Sequence, residues 1–268
     1  MMSPDASQAE IEAFRRAMGF DDPIWLQYLR FLGNLLQGDL GLSLRYQRPA
    51  TDLLWERLPA TALLALSALI WSSAIGMVLG VVSAVRKNSG LDFVIRVIAL
   101  LGQAVPVFWL ALLMILLFSL RLRWLPSSGM GGWQHLVMPS IALGAYYVSA
   151  MTRLVRASLI EVLGQNYIRT ARAKGLGQWR IVVRHGLRNA MIPVITVQGM
   201  YFAALLGGAL VTEIVFAWPG IGRLAVEAIQ NRDFPVVQAV VLFTAAVFVI
   251  ANFLVDIAYT WLNPRIRL

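Results

Sequence analysis

A phosphate-cradling loop of the GxxxxGK[ST] type needs a lysine behind a glycine, and the two lysines of this chain are Lys87 after Arg86 and Lys174 after Ala173. No ATP site of that kind exists in the sequence. HExxH and GxSxG are also absent, and the two histidines, His135 and His185, stand in different connections on opposite sides of the apolar runs described below. An intramembrane enzyme would need a nucleophile with its base, paired aspartates or a metal cluster, so that reading is a distant alternative. The absence of cysteine excludes disulfides, cysteine-bound zinc and thiol catalysis. No catalytic, cofactor-binding or metal-binding residue is assigned. His185, between Arg184 and Arg188, reads as solvated, and His135 as interfacial. Two acids, Glu213 and Asp256, are suspects because ionisable groups near membrane depth are costly, but both stand at span ends where capping or headgroup contact accounts for them equally well. Gln103, Gln198 and Asn252 either line a pathway or bond neighbouring helices.

The elements that carry these residues are set by composition. Hydrophobic residues make up 59% of the 268 and charged ones 14%, against about a quarter charged in a soluble domain. Five apolar stretches, near 59–85, 97–120, 136–152, 189–212 and 234–255, are long enough or nearly so to cross about 30 Å of hydrocarbon as helix. The expected fold is therefore all-α, a polytopic membrane helical bundle. Pro59 opens the first stretch, which contains the close-packing spacing Gly76-Met-Val-Leu-Gly80. Pro106 predicts a bend in the second, and Pro139 falls in the first turn of the third.

The net charge of +9 resides in the connections, a pattern that sets membrane orientation rather than binding nucleic acid. Arg86, Lys87 and Arg96 follow the first span, and eight basic residues from Arg153 to Arg188 face Glu161 alone, so the loop 153–188 is placed in the cytoplasm. Arg265 and Arg267 are then inside. Residues 1–58 form an external N-terminal segment, 59–268 the transmembrane domain, and 213–233 an external loop. Five spans with an internal C-terminus leave the N-terminal segment outside with nothing like a signal peptide before it, which predicts a further hydrophobic helix upstream of Met1.

Residues 166–193, NYIRTARAKGLGQWRIVVRHGLRNAMIP, resemble the cytoplasmic coupling loop of ABC importer permeases in its dipeptide and oligopeptide form. The general pattern is Glu-Ala-Ala, three residues and glycine. Here Arg169-Thr170-Ala171 stands where Glu-Ala-Ala would, and Gly175 matches the glycine. The acidic position is absent, a variation shared with peptide-type permeases. A short helix over 167–174, a turn at Gly175 and Gly177, and a second helix from Gln178 would make a compact protrusion. Tyr167, Ile168, Ala171 and Leu176, with the cations Arg169, Arg172 and Lys174, suit insertion into a partner's groove; Thr170 and Ala173 complete the loop. Residues 19–43, above all Gly38-Asp-Leu-Gly-Leu-Ser43, are similar to the external stretch after the first helix of the same family, and 213–235 to the external loop before its last helix, with a sharp turn at Pro219, Gly220 and Gly222.

The resemblance implies the MetI-like permease fold with the family's first span missing here. It also implies a bacterial inner-membrane subunit that forms the translocation path for di- and oligopeptides, while ATP and magnesium stay in partner subunits. The implied partners are a homologous second permease, two ATP-binding subunits, an external solute-binding protein and membrane lipid, with no nucleic acid. Permeases for nickel, glutathione or another small solute share these motifs, and a passive channel is the remaining alternative.

Overall fold

The computed structural model describes residues 21–206 and 209–262. Expectations that fall on residues 1–20, on Arg265 and Arg267, or on the side chain of Asp256 lie outside the described residues. Among the described residues every regular element is helical: α1 Ile24–Leu36, α2 Ala50–Val85, α3 Gly90–Ala104, α4 Val107–Met114, α5 Trp133–Leu163, α6 Asn166–Ala173, α7 Gln178–Arg180, α8 Arg188–Leu206, α9 Leu210–Val215, α10 Ile221–Gln230 and α11 Phe234–Leu262. π-helical turns continue α4 over Ile115–Arg121 and join α7 to α8 over Ile181–Leu187. The chain divides into two compact units, residues 1–58 with 224–243, and 59–223 with 244–268.

By length and composition α2 and the 234–254 part of α11 can cross a membrane, and each of two bent helix pairs adds a crossing if counted as one span. The first crossing differs from its expected start, because α2 begins at Ala50 and carries Pro59 within it. The proline removes one hydrogen bond of the ladder. Thirty-six residues of otherwise good helix, with Asp52 in the first turn facing the helix dipole, carry the element through that loss. Pro106 breaks the second span outright: Val105, the residue before the proline, turns to an extended ψ of 123°, and the helices on either side diverge by 98°.

The larger unit is organised by α5, where Gly76 and Gly80 of α2 approach closely. A Cβ on Gly76 would stand 2.7 Å from the Met151 Cβ, and one on Gly80 would stand 2.8 Å from the Thr152 carbonyl oxygen. The GxxxG spacing is thus a real packing face. Met151 and Val155 then close on Val194 of α8, while Ser149 of α5 meets Gly102 of α3. Because neighbouring helices cover α5, it can hold buried Ser140, Ser149 and Thr152, and its composition is less apolar than that of α2 and α11. Pro139 stands in its second turn rather than its first.

Candidate functional site: a glycine-jointed elbow and its buried carboxylate anchors

α6 is amphipathic, and its inward face explains its position. Ile168 and Ala171 are buried against Ile181, with Leu163 and Leu176 packed around them. The helix ends because Gly175 takes the left-handed conformation, φ +76°. Its N–H donates to the Arg172 carbonyl at 2.9 Å and that of Leu176 to the Ala171 carbonyl at 3.3 Å, the two bonds of a Schellman cap. Gly177 has φ −62° and serves as the N-cap of α7, so the left-handed turn rests on Gly175 alone. The elbow is tied back on its other flank by Asn189 of α8, whose amide donates to the Tyr167 hydroxyl at 2.8 Å.

This packing corrects the expected contact surface. Ile168 and Ala171 face inward with Leu176 half-buried, so of the apolar residues expected to enter a partner only Tyr167 is exposed. The outward face is cationic and polar: Arg169, Thr170, Arg172, Ala173, Lys174 and Gly175 are all exposed. Trp179, 76% exposed on α7 just after the turn, was missed by sequence reasoning. Its signal was a large aromatic among arginines immediately after the turn.

The Pro219–Gly222 turn is built around Glu213, which is fully buried. Thr61 donates its hydroxyl to Oε1 at 2.8 Å and accepts the Ile221 N–H at 2.8 Å, while the Arg223 N–H donates to Oε2 at 3.0 Å. The carboxyl and the hydroxyl together cap the N-terminus of α10, whose first-turn N–H groups have no helical partner. Burial nevertheless raises the Glu213 carboxyl above its ordinary range, with those donors opposing the shift. The sharp turn comes from a different residue than expected, since the positive φ falls on Ala217 at 47°. Gly220 and Gly222 are needed for space: a Cβ on Gly220 would overlap the Glu213 carboxyl, and one on Gly222 would stand 2.8 Å from the Leu210 Cα. Trp218 completes the joint by donating its indole N–H to the Ala60 carbonyl at 2.8 Å.

Two further buried acids hold other corners. Asp233 lies in the smaller unit, where its carboxylate accepts from the Ser43 hydroxyl, from the Leu44 N–H at 3.1 Å and from the Arg45 N–H at 3.3 Å. The Gly38–Ser43 stretch reaches it through left-handed Gly38 and Gly41, with the Gly41 N–H on the Asp39 carboxylate at 2.8 Å. In the larger unit Asp92 is fully buried and receives both Nε and Nη2 of Arg156 at 2.8 Å, together with the Ser83 hydroxyl and the Asn88 N–H. That bidentate pair joins α3 to α5. Gln198 bonds Ser73, so it joins α8 to α2; Gln103 is partly buried on α3. The described residues contain no cluster of three or more His, Asp or Glu able to hold a metal. His185 is partly buried in the π-helical turn, and His135 has its Nδ1 buried without a partner beside Gly131.

The geometry is that of a scaffold with an exposed elbow, and comparison with known proteins shows the family it belongs to. Residues 76–268 match the binding-protein-dependent transport system inner membrane component family. Glutathione transport system permease proteins GsiC of Escherichia coli K12 and of Shigella dysenteriae are each 43% identical over 264 residues, covering 98% of this chain and 86% of theirs. Among solved structures, an inward-facing MetNI methionine ABC transporter aligns over 79% of this chain and 96% of its own with TM-score 0.68 at 19% identity. An amino acid ABC transporter aligns over 81% and 95% with TM-score 0.57 at 16% identity, so the helical arrangement itself is shared. The all-helical MetI-like fold and the family match over most of the sequence converge: this chain belongs to the binding-protein-dependent inner membrane permeases, as the membrane component of an ABC importer.

Proposed function

We propose that the chain forms half of a translocation path for short peptides, glutathione among them, and that the 166–177 elbow receives the stroke of an ATP-binding subunit. The carrying observation is the elbow itself. A capped helix presents Arg169, Arg172 and Lys174 on one side while Ile168 and Ala171 bolt it to the bundle on the other. A push on such a lever is transmitted through packed side chains rather than absorbed by a loose loop. Short peptides are the favoured cargo because the 43% identical relatives are named for glutathione, itself a short peptide.

In this reading the cytoplasmic face carries the 153–188 connection, and 1–58 with 213–233 offer the external face to a solute-binding protein. A homologous second permease completes the path, and two ATP-binding subunits hold the ATP and magnesium. Alternating access follows when nucleotide closes those subunits and rocks the permease halves.

The test is uptake into liposomes containing the assembled transporter, with its binding protein outside and ATP inside. Labelled glutathione and dipeptides are supplied in turn. ATP-dependent accumulation of either supports the proposal. Flux that persists without the ATP-binding subunits would make the protein a channel, and accumulation of neither peptide would remove the cargo.

A further inference from the structure

Where α2 ends, a groove of about 450 Å³ opens beside α7, within the range of small-molecule sites. Its walls are apolar: Val82 and Val85 come from the last turn of α2, Leu91 from the first turn of α3, and Val182 from the π-helical turn behind the elbow. The indole of Trp179 forms one lip, and Arg86 is the single ionisable residue among those that line it. Lys87 follows immediately and is exposed like Arg86. The nearest acid in sequence, Asp92, is turned inward onto Arg156, so it does not neutralise the mouth.

An apolar slot with a cation at its mouth, placed where the uncharged 59–85 run of α2 gives way to charge, has the layout of an amphiphile site. The acyl part needs a wall continuous with hydrocarbon, which the exposed Val78 and Val85 of α2 provide. The phosphate needs a cation at headgroup level, which is where Arg86 stands, and a tryptophan on the rim suits the same interfacial depth. We infer that this groove binds one anionic phospholipid, with its headgroup on Arg86 and an acyl chain along Val82, Val85 and Leu91, wedged between the end of α2 and the elbow.

The experiment is native mass spectrometry of the assembled transporter, released from membranes containing equal phosphatidylglycerol and phosphatidylethanolamine, in the absence of ATP and cargo. Wild type should retain phosphatidylglycerol preferentially. Arg86→Gln should lower that retention about fivefold, the effect of one cation near an anionic surface, with Arg86→Lys restoring most of it. Leu91→Trp, a change at an exposed position, should reduce retention by filling the slot. Equal retention of the two lipids by wild type, or unchanged retention in Arg86→Gln, overturns the inference. Release of the ATP-binding subunit by Leu91→Trp with the lipid count unchanged would assign the groove to that subunit and overturn it equally. Lipid retention is read whether or not the transporter moves peptide.

Discussion

Asp92 and Arg156 offer the sharpest test of how the bundle is held. The Asp92 carboxylate is fully buried and accepts four hydrogen bonds, two of them from one guanidinium at 2.8 Å, while the Arg156 side chain keeps 21% exposure. Breaking a buried pair from one side costs about 3–5 kcal/mol because the surviving charge has no partner, and the residual exposure of Arg156 places Asp92→Asn near 3. At roughly 2–4 °C per kcal/mol for a chain of this size, the melting point should fall by about 6–12 °C. The assay is tryptophan fluorescence on heating the detergent-solubilised transporter, run as a cycle with Arg156→Gln and the double variant. The double variant should lose less than the sum of the singles by about 1–3 kcal/mol. Strict additivity, or a melting point unmoved by Asp92→Asn, would refute the pair as a structural joint.

Gly175→Val places a β-branched residue at φ +76°, at a local cost of about 1–2 kcal/mol, and should uncouple ATP hydrolysis from uptake while Gly175→Asn stays coupled; parallel phosphate-release and uptake assays separate the two. Gly220→Ala drives a Cβ into the Glu213 carboxyl and should reduce assembled transporter on size-exclusion chromatography, whereas an alanine at open Gly177 should not. Because burial raises the folded Glu213 pKa above its ordinary 4.5, its contribution is fully present below that value and is lost as pH rises through the raised one; Glu213→Gln should remove that part of the melting-point slope. Asp233→Ala strands three donors and should expose residues 38–48 to limited proteolysis without changing the total helix content by circular dichroism.

Much of this architecture was legible in the residues. Long uncharged runs announce crossing helices, GxxxG at 76–80 marks a true close contact, and glycine at 175 marks a left-handed cap, because each depends on local composition or on a single backbone preference. The break at Pro106 was legible as a bend, but its 98° angle depends on the room that neighbours leave. What escaped was long-range. Glu213 meets Thr61 across 152 residues, and Asp233 meets Ser43 across 190, so no spacing rule could pair them. The inward turn of Ile168 and Ala171 was missed for a different reason: an amphipathic helix of eight residues shows which face is apolar and not whether its own bundle or a partner covers it. α5 shows the converse: a covered helix can afford Ser140, Ser149 and Thr152, so composition understates it.

The most direct measurement exploits the absence of native cysteine. A single cysteine in place of exposed Arg172 or Lys174, in membranes holding the whole transporter, should cross-link to the ATP-binding subunit, with a yield that changes when nucleotide is added. A cysteine at Arg172 or Lys174 that is labelled by a membrane-impermeant reagent from outside intact cells, and that never joins the ATP-binding subunit, would contradict the account.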